Sequence, residues 1–600
     1  MTNSLFSPEF QGILEAAKHP GSTDPMPFPS PADWRDQIIY FLMVDRFNNK
    51  SSPPNHMPFN DSTFSEFQGG KFSGVQAQLS YIKDLGAGAI WLSPVLKNLL
   101  FERHTYHGYG IHNFLHADPR FADNPAKADD ELRQLVDAAH KAGLYVILDI
   151  VLNHTGDCFA YVCDPGETSC TSSTGAQADF RSFARPILWR DATGAALFPD
   201  IAAIAGPPLD ALVWPVELHK NDYFRRQGTG SGTIGDFQSL KQFRTDLDDV
   251  QRFLIRAYQY IIARYDVDGF RIDTLRYLLN DLPRLFGNSM REFALSIGKK
   301  NFFTYGEVFV GDAEQEIARF IGRSTSDQSQ IVGVDAALDY PLFFNLKPVV
   351  KASAPPSNLV GMYAFRKQTE ANILSSHGDA TRFFVTFLDN HDVKERIRFI
   401  QPGEEHKYDD QVTLGIACLY CLPGIPCLYY GTEQGLHGVG NDEAVREALW
   451  GGPGFDKSSF FYQQISRIAA VRAARPALRY GRFYFRPISG NHSDFGVSTF
   501  PNGIVAFSRI LNDEEVIVVA NTSTTDSRDV DVIVDINLSR PGDVYKILYS
   551  NKPAPRLPSP VQGKIAGSVT VREVDGGTGT GPLNAFGVSL DPMEVQVLGK

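Results

Sequence analysis

Apolar residues fall in short continuous runs through most of the chain, and segments of helical period separate them. The first run, QIIYFLMV (37–44), stops at Asp45 and Arg46. AGAIWLSPV (87–95), LYVILDIV (144–151), VDGFRID (267–273) and FFTYGEVF (302–309) follow, then a weaker run at Ile331–Ala336, RFFVTFLD (382–389) and IPCLYYG (425–431). Runs of this length without polar alternation suit strands buried on both faces, as in a parallel sheet. Helical patterns lie near 75–85, 126–142, 247–264, 311–322, 357–374 and 408–420, with a last one near 459–473. Repeated strand–helix units imply an α/β fold, and eight of them close naturally into a (β/α)8 TIM barrel. A doubly wound sheet is the alternative.

Two stretches break the rhythm. Residues 155–243 are rich in Gly, Asp, Thr and Pro and are too long for a plain loop, so they predict an inserted B subdomain between barrel segments 36–154 and 244–477. From 478 to 600 the period changes to two, in GVSTF, GIVAFSRI, EVIVVANTS, DVDVIV and VQVLG, which predicts a C-terminal antiparallel β-sandwich. Residues 1–35 are Pro-rich and weakly patterned and predict an extended N-terminal arm; 552–582 predict a surface loop.

Composition narrows the partners. At 600 residues the chain needs more than one core. A net charge of −12 argues against nucleic acid or an anionic membrane surface, and no apolar stretch approaches a membrane span. The N-terminus has no basic segment followed by an apolar run, so a cytoplasmic protein is expected. Cys418, Cys421 and Cys427 lie in an apolar segment and read as buried thiols. Cys158, Cys163 and Cys170 lie in a polar loop and also read as free thiols; a disulfide or a soft metal is the alternative, although the His partners and paired spacing of a zinc site are missing.

Charge collects at the strand ends: Asp45, Asp149, Asn153, His154, Arg271, Asp273, Glu307, Asp389, His391 and Asp392. In a barrel those C-terminal ends form the active site. The stretch DVDGFRIDTLRY (266–277) is central. Alternation sends Phe270 and Ile272 to one face and Arg271 and Asp273 to the other, roughly 7 Å apart along the backbone. A guanidinium within reach favours the ionised carboxylate. Alone, this reads equally well as a structural ion pair. Three carboxylates, Asp273, Glu307 and Asp392, stand at strand ends four, five and seven, and retaining glycoside hydrolysis needs two of them about 5 Å apart.

Those residues sit in DIVLNH (149–154), GFRIDTLRY (269–277), GEVF (306–309) and FLDNHD (387–392), supported by IWLSP (90–94), YHGYG (106–110) and PGIPCLYYGTEQG (423–435). In order and spacing they resemble the α-amylase family of glycoside hydrolases and transglycosylases, over most of 35–600. The resemblance implies Asp273 as nucleophile, Glu307 as general acid and base, and Asp392 as the residue gripping the hydroxyls of the distorted sugar. It implies substrate contacts from His107, Tyr109, His154, Arg271, Arg276, Tyr277 and His391, with Tyr109 stacked beneath the sugar. Asp149 is read as a structural partner.

Departures from the family pattern carry further expectations. Arg276 and Tyr277 stand where many family amylases have Lys-His, which serves acceptor subsites and a calcium ion. Asn153 keeps one possible calcium ligand, so calcium is possible there, but no cofactor is required. A second family calcium site resembles DRFNN (45–49) followed by GGD; here the latter reads Gly69-Gly70-Lys71, and Lys71 is expected to place its ammonium among Asp45, Asn48 and Asn49. Thr274 resembles members that cut α-1,4 bonds. The resemblance thus implies retaining hydrolysis of maltooligosaccharides or starch-like α-glucans, with an α-glucan transglycosylase as the alternative. A catalytically silent sugar-binding protein is more remote, because all three carboxylates are intact. An α-glucan oligosaccharide is the expected partner; no oligomeric state follows.

Overall fold

The apolar runs become eight parallel strands: β1 (Ile39–Leu42), β2 (Ala89–Leu92), β3 (Tyr145–Val151), β4 (Gly269–Asp273), β5 (Phe303–Gly306), β6 (Ala336–Ala337), β7 (Val385–Thr386) and β8 (Ile425–Tyr429). The structure is a computed structural model that describes every residue except 1–2, 20–26, 56–64, 167–183, 202–203, 205, 207, 227–234, 279–280, 310, 312–313, 323–332, 370–373, 376–377, 453, 553–566 and 577–580. Strand order is β6–β5–β4–β3–β2–β1–β8–β7, and a parallel bridge from Leu338 to Val385 joins the two edges. Sequential order around the sheet is that of a barrel; a doubly wound sheet would reverse direction at its centre. β1 to β5 and β8 are buried along nearly their whole length, which is why they read as unbroken apolar runs.

The expected arm at 1–35 is instead partly helical. Helix α1 (Pro8–Lys18) is capped by Ser7, whose side chain accepts from the Phe10 N–H, and Pro8 opens the first turn. Phe10 and Leu14 lie four residues apart on one buried face, and Phe10 stacks on Tyr260 at 4.6 Å. Around the barrel follow α2 (Leu79–Asp84), α3 (Ala128–Lys141), α4 (Asp248–Tyr265), α5 (Asp281–Ser296), α6 (Tyr340–Val350), α7 (Ser357–Thr369), α8 (Asp409–Cys421) and α9 (Phe460–Ala474). Two of these were not among the expected helices. In α5 the buried Leu282, Phe286, Met290 and Phe293 give a regular apolar stripe, while α6 carries apolar residues on most sides and so has little periodicity. The helix expected near 311–322 is only one turn, Glu314–Ile317, among the described residues. Ile331, where the weak sixth strand was expected to begin, lies outside them.

The polar insertion leaves the barrel through an antiparallel pair, His154–Thr155 with Lys241–Gln242. It holds a small sheet of Phe159–Tyr161, Ile187–Arg190 and Ala196–Phe198. Phe159, Trp189 and Phe224 pack edge to face with centroids 5.3 Å apart. Cys158, Cys418, Cys421 and Cys427 are free and buried. Cys163, by contrast, is disulfide-bonded, which corrects its reading as a free thiol. Cys170, the one cysteine left, lies outside the described residues.

The C-terminal strands form a six-stranded and a four-stranded antiparallel sheet. Their alternation has a purpose on each side. Ile504, Ala506, Ile517 and Val519 fill the core between the two sheets, while Val505, Phe507, Val516, Val518 and Ala520 pack onto the barrel. Where the two meet, the buried Arg472 and Arg509 donate to backbone carbonyls on both sides, including Tyr420 O at 2.6 Å and Cys421 O at 2.8 Å. Among the described residues no helix is long and apolar enough to cross a membrane.

Candidate active site

Parallel pairing places Arg271 of β4 beside Asp149 of β3, on the inner face of the barrel. The guanidinium is fully buried and has three carboxylates around it. Nη1 lies 2.9 Å from Asp149 Oδ1 and 2.9 Å from Asp273 Oδ1, and Nη2 lies 3.1 Å from Glu307 Oε2. Asp149 Oδ2 also accepts from Tyr109 Oη at 2.8 Å and Trp91 Nε1 at 3.2 Å. Every oxygen of Asp149 is thus occupied by protein, whereas among the described residues Asp273 Oδ2 has only His154 Nε2, at 4.0 Å. The barrel interior supplies a rigid floor; one cation organises what stands on it.

Local backbone completes the arrangement. Thr274 takes a left-handed conformation (φ 48°, ψ 33°) that β-branched residues rarely adopt. This turns its N–H towards Glu307 Oε2 at 3.1 Å. Strain of this kind gathers at functional sites. Gly306 precedes Glu307 because Leu275 lies against it: a Cβ there would meet Leu275 Cδ2 at 2.1 Å. The glycine of GEVF is a packing requirement.

Burial pushes the Asp273 carboxyl well up; Arg271 pulls it back, and Glu307 and Asp149 push it up again. The expectation that Arg271 favours the ionised carboxylate therefore holds in sign but is outweighed. Asp149, raised by burial against the pull of Arg271, reaches about 7. Asp149 and Asp273, buried around one guanidinium, thus hold protons that a solvated group would release. The imidazoles move the other way. Burial takes His154 down to about 4, and burial with the cationic Arg446 lowers His107 and His391, so all three are neutral and able both to donate and to accept.

Asp392 stands across the site at the end of the seventh strand. Its N–H donates to Asn390 Oδ1 at 2.7 Å, and its side chain lies 3.1 Å from His391 Nε2 and 3.0 Å from Arg446 Nη2. Tyr109 Oη meets His391 Nε2 at 2.6 Å, and the Tyr109 ring runs near-parallel to those of His391 and His107, with centroids 5.6 and 5.5 Å away.

A cleft of about 740 Å³ opens over these groups and is lined by His107, Tyr109, His154, Asp273, Arg276, Tyr277, Glu307 and Asp392. Eight of the residues expected at the site thus share one cavity. Arg271, His391 and Asn153 do not line it. Arg271 and His391 stand behind it, holding Asp273 and Asp392. The cleft also contains residues not singled out from sequence: Phe237, Phe309, Glu102 and Arg446. Phe309 gave a usable signal, since it sits two residues past Glu307 at the end of GEVF, and the structure leaves it 44% exposed. Arg446 gave none, because it arrives on a loop distant in sequence.

Neither expected cation site is built to take calcium. Asp45 Oδ2 accepts from Arg46 Nε at 2.9 Å and from the Gln68 N–H at 2.9 Å, and Oδ1 accepts from the Gly69 N–H at 3.0 Å. Lys71 turns away and donates to Arg120 O and Ala122 O at 2.8 and 3.0 Å, so Arg46, not Lys71, neutralises Asp45. Asn153 Oδ1 accepts from Gln242 Nε2 at 3.2 Å. The neighbouring Asp157 and Asp236 already share the buried ammonium of Lys241, at 3.1 Å each. Burial pulls that ammonium down, but the two carboxylates outweigh it and its pKa is raised. Calcium prefers six to eight oxygen ligands, and here the strong ones are satisfied by a lysine. Among the described residues no group of three or more His, Cys, Asp or Glu is disposed to hold a metal. Lys241→Met should therefore cost about 3–5 kcal/mol, because it strands two buried carboxylates. Thermal unfolding reads this loss, and a chelator should leave the wild-type midpoint unmoved.

Comparison with known proteins gives one family. The model of the alpha-amylase catalytic domain matches residues 43–481. The "Beta/alpha-amylase" of Paenibacillus polymyxa is 28% identical over 512 residues, covering 82% of this chain and 34% of that protein. An alpha-amylase of Streptomyces lividans is 26% identical over 458 residues, covering 69% of this chain and 47% of its own length. The chain thus spans between a third and a half of these relatives. Among solved structures, CldA, a cyclomaltodextrin glucanotransferase with a three-domain ABC distribution, superposes with a TM-score of 0.65 at 21% identity, covering 94% of this chain and 99% of that one.

Proposed function

This chain belongs to the α-amylase family, and on that premise we propose that it hydrolyses α-1,4-glucosidic bonds in maltooligosaccharides or starch-like α-glucans with retention of configuration. The observation that carries the reading is the shared guanidinium: Arg271 binds Asp273 and Glu307 together, and both open onto one cleft. The ionised form of Asp273, which Arg271 favours by its contact at Oδ1, is the reactive one, with Oδ2 left to attack the anomeric carbon. As the glycosidic bond breaks, Glu307 gives its proton to the leaving oxygen and a glycosyl ester forms on Asp273. Glu307 then takes a proton from water, which attacks the same carbon and frees Asp273. Asp392 holds the ring hydroxyls in the distorted geometry. Neutral His107 and His154 hydrogen-bond the ring, and Tyr109 offers it an aromatic face.

A specific feature favours a second reading, transfer to a sugar acceptor. Phe237 and Tyr277, with centroids 5.9 Å apart, line the cleft beside Arg276, together with the exposed Phe309, whose carbonyl accepts from Arg276 Nη1 at 3.1 Å. Aromatic walls suit a pyranose better than a lone water. A product time course on maltopentaose separates the two. Hydrolysis gives only shorter sugars and one new reducing end per cleavage. Chains longer than the substrate with a flat reducing-end count would establish transfer and overturn the hydrolytic reading. The disulfide at Cys163 suits an oxidising compartment, so the cytoplasmic expectation is not carried forward.

A further inference from the structure

Arg446 comes from the loop after β8, yet three of its donor groups end in or beside the cleft. Nε donates to His391 O at 2.9 Å, Nη1 to Tyr106 Oη at 2.9 Å and Nη2 to Asp392 Oδ1 at 3.0 Å. Glu443 Oε1 lies 3.7 Å from Nη1, and Tyr106 Oη donates to Glu443 Oε2. The arginine is itself held. Its carbonyl accepts from Arg46 Nη1 at 2.9 Å, and the Arg46 guanidinium lies 3.7 Å over the Tyr106 ring. Only 8% of Arg446 is exposed.

The consequence falls on Asp392. Arg446 Nη2 donates to one oxygen, and His391 Nε2 lies 3.1 Å from the other. The charged hydrogen bond restrains the carboxylate, and the same guanidinium also holds the His391 carbonyl. Backbone and side chain of this short turn are therefore locked by one residue. A lysine could not replace it, since an ammonium lacks the planar fork that reaches three acceptors in fixed directions. We propose that Arg446 is a positioning residue of the reaction: it fixes Asp392 in the orientation that the flattened sugar ring requires in the transition state. This rests on the role of Asp392 proposed above. Because the benefit comes from preorganisation, it should appear in the rate far more than in ground-state binding.

Three variants test this together: Arg446→Lys, Tyr106→Phe and Asp392→Asn. Misplacing a transition-state contact by about 1 Å costs on the order of 100-fold in rate, so Arg446→Lys should lower kcat by about that factor with KM within about threefold. A cationic aminocyclitol oligosaccharide of half-chair shape should bind more weakly in parallel with the fall in kcat/KM. Tyr106→Phe removes one hydroxyl and keeps the ring, so it serves if Arg446→Lys folds poorly; kcat should fall about 5- to 10-fold. If Asp392→Asn is inactive while both other variants keep kcat within about twofold, the positioning role is wrong and the reading of Asp392 stands. A loss confined to KM or to thermal stability, with inhibitor affinity unchanged, also overturns it. If Asp392→Asn itself keeps its activity, the underlying reading has failed first.

Discussion

Asp273→Asn should abolish turnover and leave the protein at least as stable as before. The amide keeps the shape of the side chain and loses the nucleophilic oxygen, so kcat should fall by about 10,000-fold or more. Stability follows from the same geometry. Asp273 is one of three carboxylates around a single guanidinium, and burial pushes it well up. An uncharged group there removes repulsion from Glu307 and Asp149, while Arg271 keeps both of those partners. Reducing-sugar assays beside thermal unfolding separate the two effects. A variant retaining most of its activity would defeat the nucleophile assignment.

Arg271→Met should do the reverse: it should damage fold and rate together. Removing the one cation that, among the described residues, contacts Asp149, Asp273 and Glu307 leaves buried charge uncompensated, a loss of about 3–5 kcal/mol. The pH dependence gives the sign. A carboxyl whose folded pKa lies above its unfolded value binds more protons folded than unfolded, so its stability contribution falls as pH rises between the two values. Asp149 already lies near 7, and without Arg271 it and Asp273 rise further. Below about pH 7 both proteins hold the Asp149 proton when folded, so the deficit of the variant against wild type should be nearly constant there and should grow as pH rises above 7, where wild type can ionise Asp149 beside Arg271 and the variant cannot. Denaturant titrations at several pH values check this. A deficit independent of pH would mean that lost packing, not unpaired charge, is the cause.

The barrel was legible because its strands are buried on both faces and appear as unbroken apolar runs. The regular apolar stripe of α5 was present and overlooked. Helix α6 was harder, since Leu342, Phe343, Leu346, Val349 and Val350 leave almost no polar face to set a period. The capping signal Ser7-Pro8-Glu9 marked α1, but proline content obscured it. The convergence of Asp273, Glu307 and Asp392 on one cleft could be read from strand ends, because parallel barrel strands all stop at the same face. The cation sites could not. Which amine neutralises which carboxylate depends on where loops distant in sequence come to rest: Arg46 takes Asp45, and Lys241 takes Asp157 and Asp236. Arg446 was invisible for the same reason.

The central claim is a glycosyl ester on Asp273. The most direct measurement is peptide mapping by mass spectrometry of Glu307→Gln after incubation with an α-maltosyl fluoride. Fluoride leaves without a proton from the acid, so the first step proceeds; the missing base then slows release of the sugar. The expected result is one maltosyl unit on the peptide that carries Asp273, and an α-configured sugar as the first product of the wild-type enzyme. A sugar attached to another residue, or an unmodified protein with a β-configured first product, would contradict it.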